Sequence, residues 1–280
     1  MTVRYASNSD IDSIRDLWNL VFLQEEAFAD IYFKRLFSAL HVVVAEENGM
    51  LAGMAHRLPC RLDFAEHRLC GYYIFAVAVH PQMRRRGICT SMMNFLHDSA
   101  AFGNCDFFSL IPAELGLFEF YAKMGYRPFF YTDTERVSIS GVSDNSFVFR
   151  EPVPEDAAAL NLIYEKNMMG RCHLLRSEEY WHFLFDTENI VIAEAADKIC
   201  GYAFYGNSAP LRIYELFTDG CAKEDLLSFF AVSSSAAEIT FPAEKGAACP
   251  IGMVKFTGEK CLSNFAVCFP PPYMNLLFNT

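Results

Sequence analysis

The sequence lacks the features that mark a membrane or exported protein. No apolar run approaches the roughly 18 residues that a membrane-spanning helix requires. The N-terminal residues lead directly into strand-like sequence, without the charged and then apolar order of a signal peptide. The ten cysteines include no CxxC pair, and the seven histidines form no cluster at metal-ligand spacing. We therefore expect a cytoplasmic protein whose cysteines are buried free thiols and which holds no metal.

Basic residues are too few for a nucleic-acid-binding chain. The sequence has 23 Lys and Arg against 34 Asp and Glu, a formal net charge of −11, whereas a phosphate backbone requires a basic face. The negative charge is compatible with a cationic small molecule or a peptide amine as the partner. With 280 residues, of which 52% are apolar and 20% charged, the chain is expected to fold as two well-buried globular domains.

A short passage near the start of the chain is repeated in the second half. In both places a short strand precedes polar helix-starting residues and then a helix with one apolar face. Superposing the two passages aligns Arg4 with Arg150 and Asp10 with Asp156. One such match would carry little weight alone, so a second match in the same order is needed.

A β-hairpin supplies that second match at nearly the same offset. Segments 42–55 and 190–203 both read as two strands around a turn, with shared Val, Ala-Glu and Gly-x-Ala positions. The two matches predict two copies of one α/β unit, joined near the polar loop Gly141–Ser146. We assign residues 1–142 to the first domain and residues 146–280 to the second.

The most informative stretch combines a buried strand, a basic loop with a glycine, and a helix. The apolar run Tyr73–Val79 is typical of a strand buried on both faces, and His80-Pro81 ends it. Three arginines, Arg84–Arg86, then precede Gly87 and an apolar helix. Unpaired N–H groups at a helix N-terminus attract anions, and a glycine lets the backbone approach phosphates. The stretch therefore predicts a pyrophosphate-binding loop.

This stretch resembles the acetyl-CoA loop of the GCN5-related N-acetyltransferases (GNAT) through Val77-Ala78-Val79-x-Pro81-x-x-Arg84-Arg85-Arg86-Gly87. Within that family it is most similar to the branch typified by the enhanced intracellular survival acetyltransferases. The family pattern Gln/Arg-x-x-Gly-x-Gly/Ala is matched in turn by Arg84, Gly87 and Cys89, of which Cys89 is larger than the usual residue. The resemblance implies acetyl-CoA as co-substrate, bound by Val77, Ala78, Val79, Arg84, Arg85, Arg86, Gly87, Ile88, Cys89 and Thr90.

A second motif follows at the expected distance. A buried strand over 106–111 precedes a short apolar helix, and Phe120-Tyr121-x-x-x-Gly125-Tyr126 resembles the family signature Tyr-x-x-x-Gly-Phe/Tyr. In the family the tyrosine hydroxyl lies beside the CoA sulfur and protonates the departing thiolate. As an amine attacks a thioester, negative charge grows on the sulfur, and a positioned donor stabilises it. The resemblance therefore implies that Tyr121 is catalytic, as the general acid.

The resemblance also implies the fold. We expect an α/β (α+β) protein of two tandem GNAT-like domains, each a mixed, mostly antiparallel twisted sheet flanked by helices. In the second copy, strand 211–217 leads into 218–225, which has no Arg-x-x-Gly and carries acids where phosphates would lie. The second domain is therefore expected to wall the acceptor cleft without binding CoA. The third, sterol-carrier-like domain of the tandem members is not expected.

The general base stays open among several groups. The family transfers directly from acetyl-CoA to the amine in a ternary complex, which requires that the ammonium first lose a proton. The candidates are Glu25 and Glu26 after the first helix, His80 at the strand end, the carboxylate of Thr280, and water. Cys89 is expected to pack and not to act as a nucleophile, because no histidine is near it in the sequence.

Two other classes of function compete with this interpretation. A non-catalytic acyl-CoA-binding module would use the same loop but would not need an acid at the sulfur, so Tyr121 distinguishes it. A tandem aminoacyl-tRNA-dependent transferase would lack the arginine-glycine loop and would require a basic face. The favoured interpretation is an acetyl-CoA-dependent N-acetyltransferase acting on a primary amine of a small molecule or peptide. The identity of that amine, the use of longer acyl-CoAs and assembly as a homo-oligomer stay open.

Overall fold

The computed structural model describes residues 1–22, 26–64, 67–100, 105–139, 147–207, 209–244, 249–258 and 270–274. The chain forms two compact units that do not coincide with the two halves of the sequence. The first unit comprises Met1–Leu62, His67–Pro128 and Gly252–Val267, and the second comprises Asp63–Glu66, Phe129–Ile251 and Cys268–Thr280. The predicted junction at Gly141–Ser146 lies outside the described residues, so the domain boundary placed there stays a prediction.

Within those ranges there are thirteen strands and seven α-helices. The strands are β1 (Thr2–Tyr5), β2 (Val42–Glu47), β3 (Met50–Phe64), β4 (His67–Val79), β5 (Phe107–Leu110), β6 (Arg127–Ser138), β7 (Val148–Arg150), β8 (His173–Leu174), β9 (Asn189–Ala195), β10 (Lys198–Tyr205), β11 (Leu211–Thr218), β12 (Ala236–Pro242) and β13 (Cys249–Phe256). The helices are α1 (Ile11–Val21), α2 (Glu26–Arg35), α3 (Ile88–Ala100), α4 (Gly116–Ala122), α5 (Ala157–Asn167), α6 (Glu178–Thr187) and α7 (Lys223–Ser228). None of these helices is both long and apolar enough to cross a membrane.

The sheet of the first unit has the strand order β1-β2-β3-β4-β5-β13. Strand β2 is antiparallel to both β1 and β3, and β13 is antiparallel to β5, whereas β4 and β5 are parallel. The parallel pairing joins Gly71–Tyr73 to Phe107–Ser109, and β4 then continues for six more residues to Val79. Helix α3 packs on this sheet through the fully buried Met92, Met93 and Leu96. The long free end of β4 and the start of α3 therefore belong to one rigid framework.

The sheet of the second unit has the order β6-β12-β11-β10-β9-β7. Only the pair β11–β12 is parallel; the other neighbours along this order are antiparallel. Strand β6 comes from the first half of the sequence, and β13, which completes the first sheet from Gly252 onward, comes from the second half. Each unit thus contains a strand from the other half. The mixed, mostly antiparallel sheets flanked by helices confirm the predicted fold class.

Matching contacts in the two units confirm the sequence repeat. Arg4 donates to both oxygens of Asp10 at 2.7 and 2.8 Å, and Arg150 donates to both oxygens of Asp156 at 2.6 and 3.0 Å. Each arginine also pairs with the glutamate near the end of the first hairpin strand, Glu46 or Glu194. The predicted hairpins are present as β2–β3 and β9–β10. The aligned sequence positions therefore have the same structural task in both copies.

A buried polar cluster occupies the core of the second unit. Arg176 donates to both carboxylate oxygens of Glu215, at 2.7 and 2.8 Å, and both side chains are almost fully buried. The hydroxyls of Tyr202 and Tyr273 donate to the same carboxylate, each at 2.8 Å. A buried charge is tolerated only when it is paired and hydrogen-bonded in this way. Through Tyr273 the cluster fixes segment 270–274 against β11.

Candidate active site

The candidate cofactor strand is the carboxyl-terminal end of β4. Ala78 is buried, and Val77 and Val79 pack partly buried against the core of the first unit. Ala76, just before them, has φ of +46°, a left-handed conformation that costs a non-glycine residue about 1–2 kcal/mol. Because β4 runs past its pairing with β5, the edge of this segment can pair with a ligand that lies along it.

The basic loop delivers the N-terminus of α3 beside that strand. Gly87 has φ of +77°, and a Cβ at this position would meet no atom within 4 Å. The backbone conformation, and not a lack of space, therefore requires glycine. Ser91 N donates to Gly87 O at 2.9 Å, so the amides of the preceding helical residues, Ile88–Thr90, have no acceptor within the helix. These amides and the helix dipole favour an anion at this end of α3.

The three arginines of the loop are exposed and make only weak contacts with the protein. Arg84 donates to Val79 O at 3.3 Å, which ties the loop back to the end of β4. Arg86 donates to Gln82 O at 3.4 Å and lies 3.8 Å from a Glu47 oxygen. Contacts of this length cost little to exchange for a phosphate. The loop thus combines positive charge with backbone donors at one place on an acidic chain.

His80 stabilises the turn that begins this loop. Its Nδ1 accepts from Gln82 N at 3.3 Å, and its own backbone N donates to Ala52 O at 2.9 Å. These contacts explain the His-Pro strand end in structural terms and favour a packing role over that of general base. Of the other base candidates, Glu26 is exposed at the first residue of α2, whereas Glu25 and Thr280 lie outside the described residues.

Tyr121 lies on α4, 8% exposed, in the same hydrophobic cluster as Ile88 and Met92 of α3. Burial raises its pKa above the ordinary value of 10.0, and the nearby Cys89 thiol adds to this, so the hydroxyl stays protonated at neutral pH. Gly125 has φ of +89° and follows the end of α4, where Met124 N donates to Tyr121 O at 2.9 Å. The glycine of the Tyr-x-x-x-Gly motif is therefore the helix terminator that fixes the tyrosine.

Cys89 follows the first residue of α3 and is half-buried. Burial raises the pKa of its thiol to about 11, so the nucleophilic thiolate is scarce at neutral pH. This supports the packing role expected from the sequence. The eight cysteines of the described ranges are free thiols.

Sequence reasoning missed a polar chain that lies behind Tyr121. His97 Nε2 lies 3.0 Å from the hydroxyl of Tyr126, whose ring contacts that of Tyr121 at 5.8 Å. Lys255 Nζ lies 3.0 Å from His97 Nδ1 and donates to Met124 O at 2.9 Å. Burial and then Lys255 lower the pKa of His97 to about 4, so the ring is neutral at pH 7. Because Lys255 is 158 residues from His97, no local pattern could indicate this link.

A second missed feature is a buried histidine next to the α1–α2 region. His56 on β3 is 0% exposed, and its Nδ1 lies 2.7 Å from the hydroxyl of Tyr32 on α2. Trp18 of α1 stacks on Tyr32 with ring centroids 5.3 Å apart. In the sequence His56 is a single histidine in an apolar hairpin, which gives no signal beyond its strand position. The pair anchors α2 to the sheet.

The second unit offers no comparable anion loop in the part that the structure describes. Helix α7, which follows β11, has only six residues, and Asp225 in its first turn accepts from Ala222 N at 2.9 Å. Asp219, in the preceding loop, pairs with Lys166. Carboxylates thus occupy the region where phosphates would lie, which supports the prediction that this copy does not bind CoA.

Comparisons with known proteins agree with the geometry. Residues 2–129 match the acetyltransferase (GNAT) domain family, a span that includes β4, the arginine loop and Tyr121. No curated protein matches the chain. Similar solved structures include a probable N-acyltransferase of unknown function from Enterococcus faecalis V583, with a TM-score of 0.73 and 18% identity over 91% of this chain and 72% of that chain.

Two further structures share this fold. A GCN5-related N-acetyltransferase from Anabaena variabilis ATCC 29413 has a TM-score of 0.72 and 16% identity over 92% of this chain and 73% of that chain. Eis1 from Mycobacterium abscessus has a TM-score of 0.67 and 16% identity over 93% of this chain and 75% of that chain. At such identities the structural likeness shows the fold alone. The family match indicates an acetyltransferase domain. Residues 2–129 are therefore a GNAT-type acetyltransferase domain, within a chain whose fold is similar to that of solved N-acyltransferases.

Proposed function

We propose that this chain moves an acetyl group from acetyl-CoA directly to a primary amine of a small molecule or peptide, within a ternary complex. One observation carries the proposal. The arginine loop, with Gly87 in the left-handed conformation, opens α3, and Tyr121 is buried against the first turns of that same helix. The candidate pyrophosphate site at the start of α3 and a protonated hydroxyl on α4 thus meet in one hydrophobic cluster of the first unit.

The cofactor is held by charge and by backbone groups. Arg84, Arg85 and Arg86, together with the amides at the start of α3, bind the pyrophosphate. The free edge of β4 over 76–79 pairs with the amide groups of the pantetheine arm, as an added strand would. This arrangement directs the thioester end of the pantetheine arm toward the core of the unit, where Tyr121 is buried.

The transfer step then needs one proton donor and one proton acceptor. The neutral amine attacks the thioester carbonyl carbon, the C–S bond breaks, and its electron pair goes to sulfur. Tyr121 gives its proton to that sulfur, so that CoA leaves as a thiol, and the proton that the nitrogen loses as the amide forms returns to the Tyr121 phenolate. Before the attack, the substrate ammonium loses a proton to a base. The candidates for this base are Glu25, Glu26, His80, the carboxylate of Thr280 and water.

The first test is calorimetric titration of acetyl-CoA into the wild type and into Gly87→Glu and Arg85→Glu. We expect micromolar binding in the wild type and a loss of at least about 100-fold in both variants. Gly170→Glu is the matched control, because Gly170 also has φ of +77° with no atom within 4 Å of an added Cβ, but lies in the second unit. It should suffer the same backbone strain and bind acetyl-CoA normally.

Turnover is tested with Tyr121→Phe, by thiol release over a panel of amines. We expect this variant to keep acetyl-CoA affinity and to lose about 10²- to 10⁴-fold in kcat, as the loss of a general acid predicts. Unchanged turnover in Tyr121→Phe would remove the tyrosine from the mechanism. A wild type that binds acetyl-CoA without turnover on any amine would favour the acyl-CoA-binding module, and no binding of any acyl-CoA would defeat the proposal.

A further inference from the structure

A histidine and two carboxylates converge in the second unit, away from the arginine loop. Asp63 lies at the end of β3 and belongs to the second unit, Glu165 lies on α5, and His173 lies on β8. One ligand atom from each side chain lies within 4.8 Å of the other two. The imidazole is 5% exposed and the Glu165 side chain 32%, so the cluster is buried on one side and open to solvent on the other.

The contacts of His173 fix which of its ring nitrogens carries the hydrogen in the neutral ring. Nδ1 lies 2.8 Å from Arg171 O, and since a carbonyl only accepts, Nδ1 carries the hydrogen. Nε2 then faces Glu165 Oε2 at 3.2 Å. In a neutral ring that arrangement sets a lone pair against a carboxylate, which is unfavourable unless a cation lies between them. A metal-bound histidine commonly donates its other N–H to a backbone carbonyl, as Nδ1 of His173 does here, and this leaves Nε2 directed at the carboxylates.

We propose that Asp63, Glu165 and His173 bind one divalent first-row transition-metal ion, with zinc as the probe. One imidazole with two carboxylates suits such ions better than magnesium or calcium, which prefer ligand sets made of oxygen alone. Ligand bonds of about 2.0–2.2 Å place neighbouring ligand atoms a little over 3 Å apart, close to the separation of Nε2 and the Glu165 oxygen. Water completes the coordination on the open side.

This inference departs from the sequence-based expectation of no metal. That expectation rested on local spacing. Glu165 and His173 are eight residues apart, on a helix and a short strand, whereas Asp63 comes from a hairpin end far earlier in the chain. Only the folded second unit brings them together. No sequence motif of the usual kind could have indicated the site.

The site would also stabilise the C-terminal segment. Tyr273 N donates to Cys172 O at 2.8 Å, and His173 forms a parallel bridge with Tyr273. A metal bound to His173 therefore holds the strand on which segment 270–274 docks. We expect zinc to slow proteolysis and amide exchange of this segment.

The test uses the full chain, stripped of metal with a chelator and titrated with zinc chloride. We expect one equivalent of tight binding in the wild type and at least about tenfold weaker binding in Glu165→Gln and His173→Asn, since even outer-shell changes cost about 10- to 100-fold. The control is His182→Gln, because His182 is a half-buried histidine of the same unit that hydrogen-bonds only Pro154 O among the described atoms. Glu165→Gln keeps the side-chain volume and a hydrogen-bonding group, so it should fold.

Because the chain contains ten cysteines, the ligand type is checked with cobalt. We expect a cobalt spectrum without the charge-transfer band of a thiolate, and a zinc-dependent rise in Tm that Glu165→Gln abolishes. Equal zinc binding in the wild type and Glu165→Gln, or a thiolate band, would overturn the proposal. So would a wild type that binds no zinc, in which case the contact is a protonated histidine paired with Glu165. None of these outcomes depends on acetyl-CoA binding.

Discussion

At the scale of single residues, the first unit carries a titratable group where water cannot reach it. His56 is surrounded by the rings of Trp18, Tyr32 and Phe75, and its only polar contact among the described atoms is the Tyr32 hydroxyl. Burial lowers the pKa of His56 from 6.5 to about 3. The imidazole is therefore neutral in the folded chain at any pH where the enzyme is expected to work.

The buried histidine predicts a loss of stability in acid. Below pH 6.5 the unfolded chain binds a proton at His56 that the folded chain refuses until about pH 3, so stability falls as the pH drops through this window. Between about pH 7.5 and about pH 5 this amounts to about 2 kcal/mol. We expect the double variant His56→Leu with Tyr32→Phe, which removes both polar partners, to reduce the pH dependence of the unfolding free energy by that amount. Urea denaturation at a series of pH values measures it. His182→Gln should leave it unchanged, and an unaltered slope in the double variant would contradict the assignment.

The residues that sequence alone could supply are those whose task is local. Gly87 and Gly125 each end or begin a helix, so a short motif records the backbone conformation that they adopt. His97 and Lys255 contact each other although they are 158 residues apart, and neither has a distinctive neighbour in the sequence. The roles of Tyr121 and the loop residues in catalysis stay predictions that the acetyl-CoA experiments address.

At the scale of elements, a glycine in each hairpin sets how closely the next elements pack. A Cβ on Gly53 would lie 3.1 Å from Ala78 O and 2.9 Å from the Met92 side chain, which are on β4 and α3. A Cβ on Gly201 would lie 3.0 Å from Phe217 O on β11. Since a backbone oxygen cannot rotate away, a Cβ at either position forces the neighbouring strand to shift by a few tenths of an ångström, so both positions favour glycine. The repeated Gly-x-Ala in the sequence thus records the same close approach in both copies.

This pair of glycines predicts effects that differ between the units. Gly53→Ala should push α3 and its arginine loop off the sheet, which lowers acetyl-CoA affinity and destabilises the protein by about 1–3 kcal/mol. Gly201→Ala should destabilise by a similar amount and leave acetyl-CoA binding intact. Calorimetric titration and thermal unfolding of both variants measure the two effects. Equal loss of binding in both variants would show that general destabilisation, and not the position of α3, is responsible.

Element boundaries were predictable where burial is continuous. The apolar run 73–79 marks the buried end of β4, but the strand begins earlier, at His67. The pattern misses this first part because residues 67–70 are largely exposed and polar enough to read as a loop. Strand β5 and helix α4 fall where the apolar pattern places them. Periodicity thus reports the part of an element that packs and misses the part that projects into solvent.

At the scale of the whole molecule, the two units exchange strands. Strand β13 pairs with β5 through Met253 opposite Leu110 and Phe256 opposite Phe107, and Met253 is fully buried in the core of the first unit. Two consecutive domains were expected from the repeat. The repeat could not indicate the exchange, because strand pairing between distant segments leaves no periodic trace in a single sequence.

The exchange predicts that the first half of the chain cannot stand alone. The fragment 1–139 contains the whole family match, yet it lacks β13 and therefore exposes the edge of β5 and part of the core of the first unit. We expect this fragment to show no cooperative thermal transition and weak near-ultraviolet circular dichroism, whereas the full chain shows both. A fragment that melts cooperatively near the Tm of the full chain would contradict this expectation.

The exchanged strand also sets the order of events on the ribosome. The 146 residues from Ile111 to Phe256 must be synthesised after β5 before β13 can join it. At about 5–20 residues per second, the nascent chain carries an open sheet edge for about 7–30 s. During that time the edge is a template for pairing with other nascent chains. The acetyltransferase unit is thus translated first and completed last, and its yield in a cell depends on how well that edge is shielded until β13 emerges.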